Sequence, residues 1–415
     1  MAQARGANAV LAGAFESTYG TPPGSGYFQL PFSAQNLGAE QDLITDDLLG
    51  NGRNPWDPTA DVITNDGDVT VPVDLRNFGF WLKLLLGAPV TTATVAAAGK
   101  ITFSAQPAAT STITLNGTVW TFVASGATGN QIAIGANLAA TMTALAAALN
   151  ASAETQTAKV TYTADATSIS LVYDVLGPGG NTYTIATTGN SNGTVSAGTL
   201  TGGANKHTFT AGGLTLPSAS FEVGLPDLPK YFMNFGFGGN QLKVSLARSG
   251  LLNAVISLFG KNEAPATASA AGTPTVMAVE RFAQFSGAIK RNGSVLGKVT
   301  AADFTYGNDM EKGEDITPTG DIGDLTPGVW SFAGNITSRF ADTILFDQAT
   351  SNQPCALSFG WQINTSKSLV VTASRIFVPR PKKPITGPRG IQMTFAFQTG
   401  AGTLTFELTN DVPSY

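Results

Sequence analysis

A single cysteine and a single histidine stand among 415 residues. Cys355 alone can build neither an intrachain disulfide framework nor a thiolate zinc cluster, and in "QPCALSFGW" it reads as a small buried apolar residue. His207, in "NKHTFTAGG", has no second histidine, cysteine or serine motif nearby with which to complete a triad or a metal site. Charge is scarce as well. Only 12% of residues are charged, and 23 basic against 28 acidic residues leave a net charge of −5, which argues against a protein that grips nucleic-acid phosphates. No run approaches the ~18 apolar residues of a membrane span, and "MAQARGANAVLAG" lacks the apolar core of a secretory signal. The expectation is a soluble protein made in a reducing cytoplasm, with no catalytic residues, no metal, no cofactor and no membrane partner.

What the chain has in abundance is glycine, 47 residues of it, together with threonine, serine, alanine and asparagine. That mixture gives short strands joined by tight turns, so the expected fold is mainly β with a minor helical part. The length calls for two or three units.

Composition divides the chain. Between about residues 91 and 205 only Lys100, Glu154, Lys159, Asp165 and Asp174 are charged, whereas both flanks carry acidic loops and most of the aromatics. This stretch is expected to be an inserted domain. Within it, "TITLNGTVWTF" alternates around Asn116-Gly117, the dipeptide of a two-residue hairpin turn. Leu138, Met142, Leu145 and Leu149 form one stripe of a helix that Asn137 would cap. "AKVTYTAD" and "SISLVYDV" read as a second hairpin, making the insertion ββαββ with a tail. The glycines of "GATGNQIAIG" lack the lysine and hydroxyl of a P-loop, and hairpins are not the parallel strand-helix-strand order of a dinucleotide fold.

The remainder repeats itself in order. "NDGDVTVPVDLRNFGFWLKLLLG" predicts a strand and then a helix using Phe78, Trp81, Leu82 and Leu85; "TPGVWSFAGNITSRFADTILFDQAT" predicts the same, with Phe340, Ile344 and Leu345 on the helix. An acidic Gly/Pro-rich loop precedes each pair, and strands follow each, with a turn expected at Gly238-Gly239. The divisions are 1–90 plus 206–275 for the first unit, 91–205 for the insertion and 276–415 for the second unit.

The opening "GANAVLAGAFESTYGTPP", the strand-helix "VTVPVDLRNFGFWLKLLLG" and the strand-rich carboxy-terminal half resemble the tail tube proteins of long-tailed bacteriophages, over roughly 300 residues in the two flanks. The insertion is similar to the small polar β-rich modules that decorate phage tails. The resemblance implies two β-sandwich or barrel-forming units with one helix each, in a virion protein that polymerises into stacked rings. It also implies assembly in the host bacterial cytoplasm, contact with other tail proteins at the tube ends, and passage of DNA without specific binding. Six barrel-forming domains per ring, with two in each chain, would make a ring of three chains with pseudo-sixfold symmetry. Independently of the resemblance, abundant strand edges and few charges suit a chain whose edges are covered by its own copies.

Two other classes fit parts of the sequence. Carboxylate pairs such as Asp46/Asp47, Glu314/Asp315 and Asp321/Asp324 could serve a glycosidase, but they lie in polar loops without a sugar-stacking groove. "NDGDVTVP" and "GDIGDLTPG" begin a calcium-loop pattern and do not finish it. A bacterial surface adhesin or pilus-like module fits the Gly/Thr/Ser-rich strands, though not the missing export signal. The strong positive cluster is "PRPKKPITGPR", with Arg380, Lys382, Lys383 and Arg389. It reads first as a solvated loop between two closing strands, kept extended by its prolines; the functional alternative pairs it with the acidic segment carrying Asp309, Glu311, Glu314 and Asp315 on a neighbouring subunit or ring, and grip on DNA is the lesser alternative.

Overall fold

The computed structural model describes residues 3–316, 320–383, 385 and 387–415. Thr317–Thr319 of the acidic loop and Pro384 and Thr386 of the basic loop therefore fall outside it. Strands dominate, with three α-helices among the described residues.

The first unit contains β1 (Val10–Phe15), β2 (Gly38–Ile44), β3 (Thr59–Pro72) and α1 (Phe78–Leu86). The chain then enters the module through β4 (Val90–Phe103). The module holds β5 (Thr112–Leu115), β6 (Thr118–Val123), β7 (Gln131–Ala133), α2 (Leu138–Asn150), β8 (Val160–Ala164), β9 (Ser168–Leu176), β10 (Ile185–Thr187) and β11 (Gly193–Val195). It leaves by β12 (Ala204–Thr210), and the first unit resumes with β13 (Ala219–Leu225), β14 (Lys230–Leu246), β15 (Asn253–Gly260) and β16 (Asn262–Ala266). The second unit is β17 (Gly287–Arg291), β18 (Val299–Gly307), β19 (Ser331–Arg339), α3 (Ile344–Ser351), β20 (Cys355–Asn364), β21 (Lys367–Phe377), β22 (Gln392–Thr399) and β23 (Leu404–Asn410).

The two units pair their strands alike. β1 lies antiparallel to β13 as β17 does to β20. β2 pairs with β3 as β18 does with β19, and β3 pairs with β15 as β19 does with β22. The order closes with β13–β14–β16 in one unit and β20–β21–β23 in the other. The register repeats too: Gln35 faces Val69 as Ala302 faces Ile336, a constant offset of 267 (35 to 302, 69 to 336).

One glycine makes the repeat physical. A Cβ on Gly67 would lie 2.7 Å from the Asn36 carbonyl oxygen, and a Cβ on Gly334 would strike the Asp303 carbonyl oxygen. Gly334 is Gly67 shifted by the same offset, and Asp303 is Asn36. In each unit the hairpin strands approach so closely at this point that no side chain fits between them.

The helices serve the two units unequally. α1 is almost wholly buried, with Trp81 stacked on Phe221 at 5.4 Å and 7° between planes, and Phe80 edge-on at 5.6 Å. Asp74 caps it, accepting from the Phe78 N–H at 3.0 Å and from Asn77, and burial pushes its carboxyl pKa up. α3 is shorter and buries Leu345, Gln348 and Ala349; Phe340, expected on this helix, precedes it and is 41% exposed. Both units share one continuous core running from Leu11 to Leu408.

The expected turn at Gly238-Gly239 is instead the middle of the 17-residue β14. These glycines are extended, and close packing explains them: a Cβ at 238 would sit 2.9 Å from Leu325 and Met310, and one at 239 would sit 3.0 Å from Leu85. The left-handed residue in this strand is Gly236, with φ of 68°.

In the module the hairpin turns at Asn116-Gly117, with φ of 45° and 90°. Asn137 caps α2 through the Ala140 N–H at 2.9 Å, and Met142, Leu145 and Leu149 are buried in a core separate from that of the two units. β8–β9 form the second hairpin, and β4, β7, β10 and β11 add strands beyond the ββαββ outline. The module's root is a continuous ribbon, because β4 runs unbroken from host to module while its first residues pair with β12. His207 is fully buried in that ribbon, between the Thr91 hydroxyl at 2.9 Å on Nδ1 and the Asn410 side-chain and Val412 carbonyl oxygens on Nε2. Burial lowers its pKa, which keeps the imidazole neutral as a packed joint.

Candidate assembly interface

One contact inside the chain shows how two units meet. The second half of β14, in the first unit, pairs antiparallel with β18 of the second: Gln241 faces Gly307 and Leu246 faces Ala302. The sheet therefore runs without a break as β2–β3–β15–β14–β18–β19–β22. Over this joint lies the acidic loop that connects β18 to β19. Asn308 donates from Nδ2 to the Leu85 and Gly239 carbonyls, both at 2.8 Å, and the Met310 N–H donates to the Asn240 side chain at 3.0 Å. Lys312 pairs with Asp66 at 3.3 Å and sits 4.4 Å above the Phe259 ring, while the Asn262 amide donates to Asp321 at 2.7 Å. The loop of one unit is thus laid across four strands of its neighbour, β3, β14, β15 and β16.

The corresponding loop of the first unit, between β2 and β3, has no such neighbour among the described residues. Its residues and the end of β2 are almost all exposed, including Leu43 at 64%, Leu48 at 64%, Leu49 at 96% and Trp56 at 42%. These are large apolar groups in a segment that also carries Asp46, Asp47 and Asp57. A loop so rich in apolar surface marks an interaction site. In the sequence its aspartates and glycines look like those of a solvated turn, which hides the apolar surface between them.

The acidic and basic segments singled out from the sequence do not meet within the chain. Asp309, Glu311, Glu314 and Asp315 lie in the loop entering β19 at Ser331. Arg380, Lys382, Lys383 and Arg389 lie in the segment that enters β22 at Gln392, which faces Arg339 at the other end of β19. The nine residues of β19 therefore separate them by roughly 30 Å. Lys383 and Arg380 rest against the Phe346 ring, at 4.5 and 6.0 Å. Near the same end, Arg248, Lys298 and Arg339 line a cleft of about 780 Å³. The sheet carries positive charge at one end of its strands and negative charge at the other.

The carboxylate pairs show no enzymatic arrangement. Asp46 accepts from the Leu48 N–H as a local turn, and the Gly313 N–H donates to the Asp324 carbonyl. Among the described residues no group of three metal-ligating side chains converges. Cys355 is buried, with its thiol pKa pushed up by burial.

A family model described as phage tail tube protein matches residues 6–205 and matches again over 182–399. The chain belongs to the phage tail tube protein family. A search of curated proteins gives no match. The tail tube protein is a structural component of the virion tail rather than an enzyme, and the double match agrees with the repeated register of its two units. Membership also disposes of the adhesin alternative. In a tube protein, polar strand ends and uncovered sheet edges have an evident use as polymerisation surfaces.

Proposed function

We propose that three copies of the chain form each ring of the tail tube, presenting six tube units with pseudo-sixfold symmetry, and that DNA passes through the lumen without specific binding. The observation that carries this is the β14–β18 joint: two units with the same pairing order and register are already joined side by side in one sheet. A head-to-tail contact of this kind generates a ring when its rotation closes. The module projects from the outer wall, where it leaves the lumen open, so each ring carries three projections. Averaged cross-sections of assembled tubes should show three outer knobs per ring; six would overturn the three-chain ring. Replacing residues 97–202 by an Asn-Gly turn, so that β4 and β12 become a plain hairpin, should remove the knobs and leave tube formation intact.

Rings stack with the acidic end of one against the basic end of the next, bringing Lys382, Lys383 and Arg389 toward Asp309, Glu311, Glu314 and Asp315. Support comes from the position of the two segments at opposite ends of β19. Contacts between exposed charges steer association and are screened by salt. Lys382→Glu with Lys383→Glu should slow tube growth about tenfold at low salt, and much less at high salt. Equal growth of variant and parent at low ionic strength would remove this contact.

A further inference from the structure

Each chain leaves two strand edges that the internal joint has already used in its other half. β2, the counterpart of β18, is paired on one side with β3, and among the described residues no strand lies on its outer side. The counterpart of the second half of β14 is the segment that continues β21. The correspondence is fixed by register: Tyr231 faces Ala266 as Val370 faces Glu407, and Gly238 faces Phe259 as Phe377 faces Gln398. Carried on with the same spacing, Gln241 corresponds to Arg380 (238 to 377, 241 to 380). Gly307, the residue opposite Gln241, corresponds to Glu40 by the offset of 267.

We infer that, in the ring proposed above, β2 of one copy adds antiparallel to residues 378–383 of the next, with Glu40 directly opposite Arg380. The β2–β3 loop is laid across the second unit of that copy as the β18–β19 loop is laid across the first. Three features of the chain support this pairing. The register sets an acid against a base, although nothing in the repeat required opposite charges there, and opposite charges directly across a strand pair are favourable.

The second feature is the pattern of prolines. In the internal joint the β14 group used at this point is a carbonyl: Asn240 accepts from the Asn308 N–H at 2.8 Å. The counterparts of Asn240 and Asn308 are Pro379 and Gln41, and a proline keeps the carbonyl that this bond uses. Pro381, at the place of Leu242, likewise presents its carbonyl to β2. The third is the exposed arm. Leu43 stands where Met310 stands in the internal joint (43 to 310), and its 64% exposure in the single chain is what an absent acceptor leaves.

The test uses the full-length chain. Glu40→Cys and Arg380→Cys together would place two thiols opposite each other, and directly opposed strand residues lie within disulfide range. The buried Cys355 stays silent, and each single variant serves as control. After mild oxidation of assembled tubes, non-reducing electrophoresis should show a ladder ending at three chains for the double variant and monomer for the singles. Tubes that assemble yet give no cross-link would overturn the edge pairing while leaving the tube itself untouched. A ladder ending at six would keep the pairing and overturn the three-chain ring. Should the cysteine variants not assemble, charge exchange decides: Glu40→Arg and Arg380→Glu should each reduce assembly about tenfold, and their combination should restore it to within about twofold of the parent. Failure of the combination to restore assembly would overturn the pairing.

Discussion

Trp81→Ala should lower the unfolding free energy by about 3–5 kcal/mol, the range for removing a fully buried large aromatic from a core that cannot collapse around the gap. Trp81 has no exposed surface and stacks on Phe221, which is itself edge-on to Phe80 and Phe237. Stacked and edge-on pairs add to the area they bury. The loss would also reach the joint between units, because the Leu85 carbonyl on the same helix accepts from Asn308. Trp81→Phe, which keeps most of the volume and the stacking face, should cost less than half as much. The check is the denaturant midpoint of the unassembled chain; a shift worth under 1 kcal/mol for the alanine variant would show that α1 is not the centre of the fold.

Gly334→Ala is expected to have the second largest effect. The added methyl would strike backbone, the Asp303 carbonyl, so no rotamer change can relieve it. The hairpin β18–β19 would have to part at its middle, at a cost in the upper range for overpacking, about 3 kcal/mol. Gly67→Ala meets the Asn36 carbonyl and adds strain from its φ of 150°, so it should cost at least as much. Thermal melts of the two variants should show parallel losses. A neutral Gly334→Ala would mean that the close approach of these strands is not required.

Much of this fold was legible because local chemistry and tertiary structure agree. Asn116-Gly117 and the stripe of Leu138, Met142, Leu145 and Leu149 specify their elements with little help from the rest of the chain. The repeat was visible in the order of strands, and the offset of 267 exposes matching letters as well: Thr59 and Thr326, Val62 and Val329, Gly67 and Gly334, Thr70 and Thr337. Gly238-Gly239 misled because glycine is used both where a chain turns and where a neighbour presses close, and only the position of Leu85, Met310 and Leu325 distinguishes the two. Phe340 fits a helical stripe in the sequence, yet its N–H donates to the Ile391 carbonyl and holds it at the strand end. The charged segments were legible as charges and not as places. Their separation along β19 depends on pairings between residues far apart in sequence.

Joining two units by one sheet within one chain also alters the molecularity of assembly. The β14–β18 joint forms as the polypeptide folds, at an effective concentration set by the chain itself and indifferent to how dilute the protein is. In a ring of three such chains, half of the side-to-side joints are thus complete before any two molecules meet. Closure becomes a third-order rather than a sixth-order event in protein concentration, and rings would nucleate at dilutions where six separate subunits would remain apart.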